Sequence, residues 1–127
     1  MRKSIKLSNN VYWDPSSIKY ATQLTRTANV GANKTLTITN STQDSIAFIV
    51  TFRGTMGITH AIYFFTTYGA GGSSRSFYYK LAGHSQFDVT ITISGTSFTV
   101  LNNMTSSLRC SILMLIGNLD DLVTSVN

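Results

Sequence analysis

From residue 35 onward, apolar and polar positions alternate along most of this chain, with the two-residue period of a β-strand rather than the 3.6-residue period of a helix. "TLTITN" (35–40) sets Leu36 and Ile38 on one face, and "SIAFIVTFRG" (45–54) does the same with Ile46, Phe48, Val50 and Phe52. "ITHAIYFFTTYG" (58–69) is long, β-branched and aromatic, and "SFYYKL" (76–81) follows a glycine-rich stretch. "FDVTITISGTSFTVLNN" (87–103) reads as a hairpin: Phe87, Val89, Ile91 and Ile93 face inward, Ser94-Gly95-Thr96 turn the chain, and Phe98 and Val100 return. "LRCSILMLIG" (108–117) is the last strong strand, with Leu108, Cys110, Ile112, Met114 and Ile116 on one face. Only "NLDDLV" near the end hints at a helical period. Short strands separated by turn signals predict an all-β fold, an antiparallel β-sandwich of jelly-roll-like form, with no long helix between residues 20 and 117.

Several of these strands are apolar on both faces. Ile58, Ile62 and Phe64 lie opposite Ala61, Tyr63 and Phe65; Leu113 and Leu115 lie opposite the Cys110 face; Ala47 and Ile49 lie opposite Phe48 and Val50. A two-layer sandwich needs only one apolar face per strand. With no helices to cover the second face, another copy of the chain is expected to do so, in closed cyclic symmetry. The expected interface uses one face of 58–67 and 108–116, with Tyr63, Phe65, Leu113 and Leu115 as its residues.

Composition narrows the picture. Charged residues make up 12% of the 127 positions, there is no glutamate, and Ser and Thr supply roughly a quarter of the chain, so hydroxyls and amides carry its solubility. The net charge is +5. Nucleic acid is the first partner such a charge suggests, but Arg26, Lys34, Arg53, Arg75, Lys80 and Arg109 fall on separate segments and only Arg2, Lys3 and Lys6 cluster. A nucleic-acid partner is therefore not favoured, and attraction to anionic wall polymers fits equally well. The single cysteine, Cys110, excludes an internal disulfide and reads as a buried thiol. No apolar run has the length of a membrane span, and the basic start is followed by no hydrophobic region, so neither a membrane partner nor a signal peptide is expected.

Catalytic chemistry is hard to assemble from this inventory. The histidines are His60 and His84, the acids are five dispersed aspartates, and no cluster has zinc spacing. The expectation is a protein without catalytic residues, metal or cofactor. "YGAGGSSRSFYY" (68–79) matches neither phosphate-loop pattern and reads as a hairpin tip flanked by aromatics and an arginine. Tyr68, Arg75 and Tyr78, with His84 in "LAGHSQFD", form the candidate ligand-binding set, since tyrosine faces and a guanidinium suit sugars and their acidic groups.

The segment "SIKLSNNVYWDPSSI" (4–18), followed by "ANKTLTITN", "FIVTFRG", "HAIYFFTTYG", "KLAGHSQFDVTITISGTSFTVLNN" and "IGNLDDLVTSVN", resembles the C-terminal head domains of phage and prophage tail-fibre receptor-binding proteins. The resemblance covers most of the chain and is one of pattern rather than of an invariant signature. It implies a stalk-to-head junction over 1–19, a β-sandwich head over 20–117 and a C-terminal tail over 118–127. It further implies a non-enzymatic homotrimer on the virion, joined to an upstream fibre or baseplate protein, released by lysis and bound to a bacterial surface saccharide. On this reading Tyr12 and Trp13 are interface residues at the joint, and Pro15 ends their strand. Two other readings stay open: a virion trimerisation or capsid-decoration module without a ligand, and a small basic nucleic-acid-binding barrel.

Overall fold

The computed structural model describes residues 5–8, 11–13, 25–55, 59–70 and 75–127, the first two groups by their backbone pairing alone. Strands β1 (Ile5–Ser8) and β2 (Val11–Trp13) pair as an antiparallel ribbon. The side chains of Tyr12 and Trp13, and all of Pro15, Ile58 and the tip 71–74, lie outside the described residues.

Nine further strands build two antiparallel sheets. They are β3 (Thr25–Val30), β4 (Thr35–Asn40), β5 (Ser45–Arg53), β6 (Ala61–Tyr68), β7 (Ser76–Gly83), β8 (Val89–Ser94), β9 (Ser97–Asn102), β10 (Leu108–Ile116) and β11 (Leu122–Val126). One sheet runs β3-β10-β5-β6-β7 and the other β11-β4-β9-β8. The all-β sandwich read from the alternation is therefore the observed fold, with a short 3-10 turn (Leu119–Asp121) as its helical piece after β10. The meander β5-β6-β7 and the hairpin β8-β9 each stay in one sheet. The connections β3–β4, β4–β5, β7–β8, β9–β10 and β10–β11 cross between sheets.

Two elements carry weak sequence signals. β3, "TRTANV", contributes mainly Val30 and Ala28 to the core. β11 lies within 118–127, the expected tail, yet it pairs along β4 from Leu122↔Asn40 to Val126↔Leu36 and buries Leu122. Arg26 of β3 fastens it. Its Nη1 donates to the Leu122 carbonyl at 2.8 Å and its Nη2 to that of Leu119 at 3.3 Å.

Between the sheets lies one apolar core. Leu36, Ile38, Phe48, Val50, Phe52, Phe65, Phe98, Val100, Leu108, Cys110 and Ile112 are buried. Phe98 of one sheet meets Phe65 of the other edge-to-face, with ring centroids 4.9 Å apart, and Phe48 stacks on Phe65 at 5.3 Å. The inward set Phe87, Val89, Ile91 and Ile93 sits as the hairpin alternation requires. Gly95 has φ 61 at the first position of its two-residue turn, the place where glycine avoids a Cβ clash.

Candidate functional site

The strand register decides which candidate residues meet. Ser45 opposes Tyr68, and Thr67 opposes Ser76, so Tyr68 and Arg75 stand together at the end of the sandwich that carries the β6–β7 loop. Both are exposed. Tyr78 shares their strand pair but faces inward, because it opposes Phe65. Its ring lies 6.2 Å from that of Phe65 and 6.4 Å from that of Tyr63. His84 follows β7 at the far end of the molecule, where its backbone N–H donates to the His60 carbonyl and its Nδ1 accepts from the Gln86 N–H at 3.1 Å. The length of β7 thus separates His84 from Arg75, and the four candidates do not form one site.

The expected interface residues divide in the same way. Leu113 and Leu115 lie on the outer side of β10 and are exposed. Tyr63 and Phe65 do not lie there: they point into the core, Phe65 fully buried and Tyr63 nearly so, and their assignment to an interface is corrected. Both faces of β6 are apolar, so alternation gives the two sets without saying which is inside. The register settles it, since Phe65 pairs with inward Phe48, and Tyr63 with inward Val50. Burial, then the neighbouring Tyr78 and Asp88, hold the Tyr63 hydroxyl above its usual pKa and keep it neutral.

The outward residues form rows across the five-stranded sheet. Leu113, Ile49, Phe64 and Tyr79 oppose one another in turn across β10, β5, β6 and β7. Ile116, Ala47, Thr66 and Phe77 form the next row, and Ile62 pairs with Ala82 beyond. Leu81 sits at a bulge in β7. Ile62, Tyr68, Phe77, Tyr79, Leu81, Leu113, Leu115 and Ile116 are 37–59% exposed. β7 is the edge strand of this sheet, and its outer edge has no partner strand among the described residues.

The fold also sorts charge in a way that the linear sequence hides. Lys34, Arg53, Lys80 and Arg109 gather toward the end that carries the β5–β6 loop, where Asp88 is the one acid among the described residues. Arg26 and Arg75 stand toward the other end, with Asp44, Asp120 and Asp121. Residues far apart in sequence meet because β5 ends, and β10 begins, at the same edge of the sheet. Asn29, Arg109 and Arg53 form one outward row across β3, β10 and β5. With Gly54, Thr55 and Ser107 they line a pocket of about 450 Å³. Sequence reading named neither arginine as a site residue, since only the cross-strand register joins them.

Among the described residues no group of three His, Cys, Asp or Glu could hold a metal ion, and no helix is long and apolar enough to cross a membrane. Asp88 Oδ1 accepts from Asn103 Nδ2 at 3.1 Å, and Asp121 Oδ2 accepts from the Asn118 N–H at 3.0 Å.

No family model and no curated protein matches the sequence. The fold does have a counterpart. It is similar to part of the tailspike protein gp49 from Acinetobacter baumannii bacteriophage Fri1, a capsular polysaccharide depolymerase, with a TM-score of 0.57 and 10% sequence identity. The match covers 99% of this chain and 21% of that one, so the chain spans about a fifth of the tailspike. At this identity the likeness is one of fold: this β-sandwich is an architecture that a phage tailspike contains.

Proposed function

We propose that this chain is the β-sandwich head of a phage or prophage tail fibre or spike. In this reading it is a non-enzymatic receptor-binding module that trimerises on an upstream fibre or baseplate protein, rides on the virion and recognises a bacterial surface saccharide. The observation that carries the reading is the outer face of the five-stranded sheet. At about 200 Å² per large apolar side chain, its seven exposed members other than Tyr68 offer on the order of 700 Å², more than the largest patch of a typical monomer and close to one partner's share of a stable interface. Adjacent to it is the edge of β7, which has no partner strand among the described residues and is of a kind that proteins seldom leave apolar and uncovered. A homotrimer covers both. In that assembly Leu113 and Leu115 are interface residues, joined by Ile62, Tyr79 and Leu81, with Tyr12 and Trp13 at the joint.

The saccharide is supported by two further points. The tailspike that shares this fold acts on capsular polysaccharide. Tyr68 and Arg75 stand exposed at a loop end of a rigid sandwich, where recognition residues can vary without cost to the core. The hydrogen-bonded, structural uses of Asp88 and Asp121 fit a binding role rather than paired-carboxylate hydrolysis. The test is light scattering followed by binding to immobilised bacterial capsular and wall polysaccharides. The expected mass is three times 13.9 kDa, with retention on at least one polymer. A stable monomer at micromolar concentration contradicts the trimer, and loss of polymer mass over time contradicts the non-enzymatic role.

A further inference from the structure

Arg53 and Arg109 are directly opposed on neighbouring antiparallel strands, on the same outward face. Residues so opposed have Cβ atoms about 5 Å apart, and like charges there repel. Arg26 spends its guanidinium on the carbonyls of Leu119 and Leu122. Arg53 and Arg109 are exposed, and neither is ion-paired to a carboxylate among the described residues. Asn29 completes the row on the far side of Arg109, and Thr55 and Ser107 add hydroxyls at the rim of the same pocket. Its volume of about 450 Å³ lies within the range of small-molecule sites.

The surroundings are held in place. Asn102 is buried, and its Nδ2 donates to the carbonyls of Val30, Gly31 and Ser106 at 2.9–3.2 Å, which fixes the chain just before Ser107. Gly54 lies so close to Thr59 that an added Cβ would stand 2.1 Å from its Oγ1, so the start of the β5–β6 loop packs tightly on a buried threonine. Two guanidiniums without a carboxylate partner among the described residues, an amide and two hydroxyls, gathered on backbone held in this way, suit an oxyanion.

We propose that this pocket binds a single anionic group carried by a saccharide, a carboxylate or phosphate gripped between Arg53 and Arg109, at the opposite end of the sandwich from Tyr68 and Arg75. The ligand class rests on the proposed receptor-binding reading; the oxyanion chemistry rests on the pocket itself. Among the described residues no aromatic side chain lines the pocket and two cations do, which suits one charged sugar residue rather than the stacked, phosphate-tracking path of a single-stranded nucleic acid.

Calorimetric titration of the full chain tests this. The probes are inorganic phosphate, a polygalacturonate fragment, poly(glycerol phosphate), dextran and single-stranded DNA. Expected are binding of phosphate and of at least one anionic polymer, and a loss of about tenfold or more in Arg53→Gln and in Arg109→Gln. Both pocket variants are expected to melt no lower than the wild type without ligand, since each removes a repulsion. Equal affinity in wild type and both variants overturns the site. A saccharide that binds wild type and pocket variants alike leaves the receptor reading standing and this site refuted. Phosphate binding lost in the variants, with no saccharide bound by the wild type, keeps the oxyanion site and removes the receptor reading. DNA that binds more tightly than every glycopolymer, with the same loss in the variants, overturns the saccharide assignment.

Discussion

Two buried side chains show how single residues hold this sandwich. Asn102 Oδ1 accepts the Met104 N–H at 2.8 Å while Nδ2 serves three carbonyls, so one amide joins the β3–β4 turn to the β9–β10 loop. Truncation would leave several buried backbone groups without partners, each worth about 1–3 kcal/mol. Asn102→Ala is expected to destabilise the protein by about 2–4 kcal/mol, read from its denaturant midpoint at constant m-value; an unchanged midpoint would show that water replaces the amide fully. Cys110 is the second case. Burial pushes its thiol from the ordinary 9.0 up to about 12. The folded state therefore holds the proton more tightly than the unfolded chain. This contribution is complete below about pH 9 and is lost as pH rises from there toward 12. The expected behaviour is a thiol inert to disulfide reagents in the native protein and titrated at once in denaturant. Rapid native labelling would contradict its burial.

At the level of elements, the sandwich was legible where one face of a strand is apolar and the other polar. β4, β8 and β9 follow that rule and sit as their alternation requires. β3 was not legible, because "TRTANV" offers little besides Val30 and is a strand through its pairing with β10. β11 was not legible because its five residues bury only Leu122 and depend on Arg26 and β4. In β6 both faces are apolar, and only the register with β5 shows that Tyr63 and Phe65 belong to the core while Ile62 and Phe64 face out. The site suffered most, since the eight-residue span of β7 separates Arg75 from His84, and cross-strand pairing brings together arginines that are 56 positions apart. β7 also supplies the sharpest test at this scale. Tyr79→Lys and Leu81→Lys place charges on the exposed face at an edge, where they cost the isolated sandwich little. Each is expected to shift the light-scattering mass to that of a single chain with the melting curve still cooperative. A trimer that persists in both would move the interface away from β7.

The molecule as a whole is polar in its charge as well as in its surface. Among the described residues, four cations against one acid at the β5–β6 end, and two cations against three acids at the other, make a positive pole that sequence order conceals. Such a pole raises the encounter rate with anionic polymers and fades with salt over a Debye length of about 8 Å at physiological ionic strength. An apolar face suited to assembly, a positive pole and a fold shared with part of a tailspike are together the features expected of a head that meets an acidic bacterial surface. The most direct measurement is an array of purified bacterial capsular, lipopolysaccharide and wall polysaccharides probed with the labelled wild-type protein at physiological salt. The account predicts selective retention on one or a few acidic polysaccharides and none on neutral dextran. Absence of binding to every polysaccharide, with the protein folded and assembled, would contradict it.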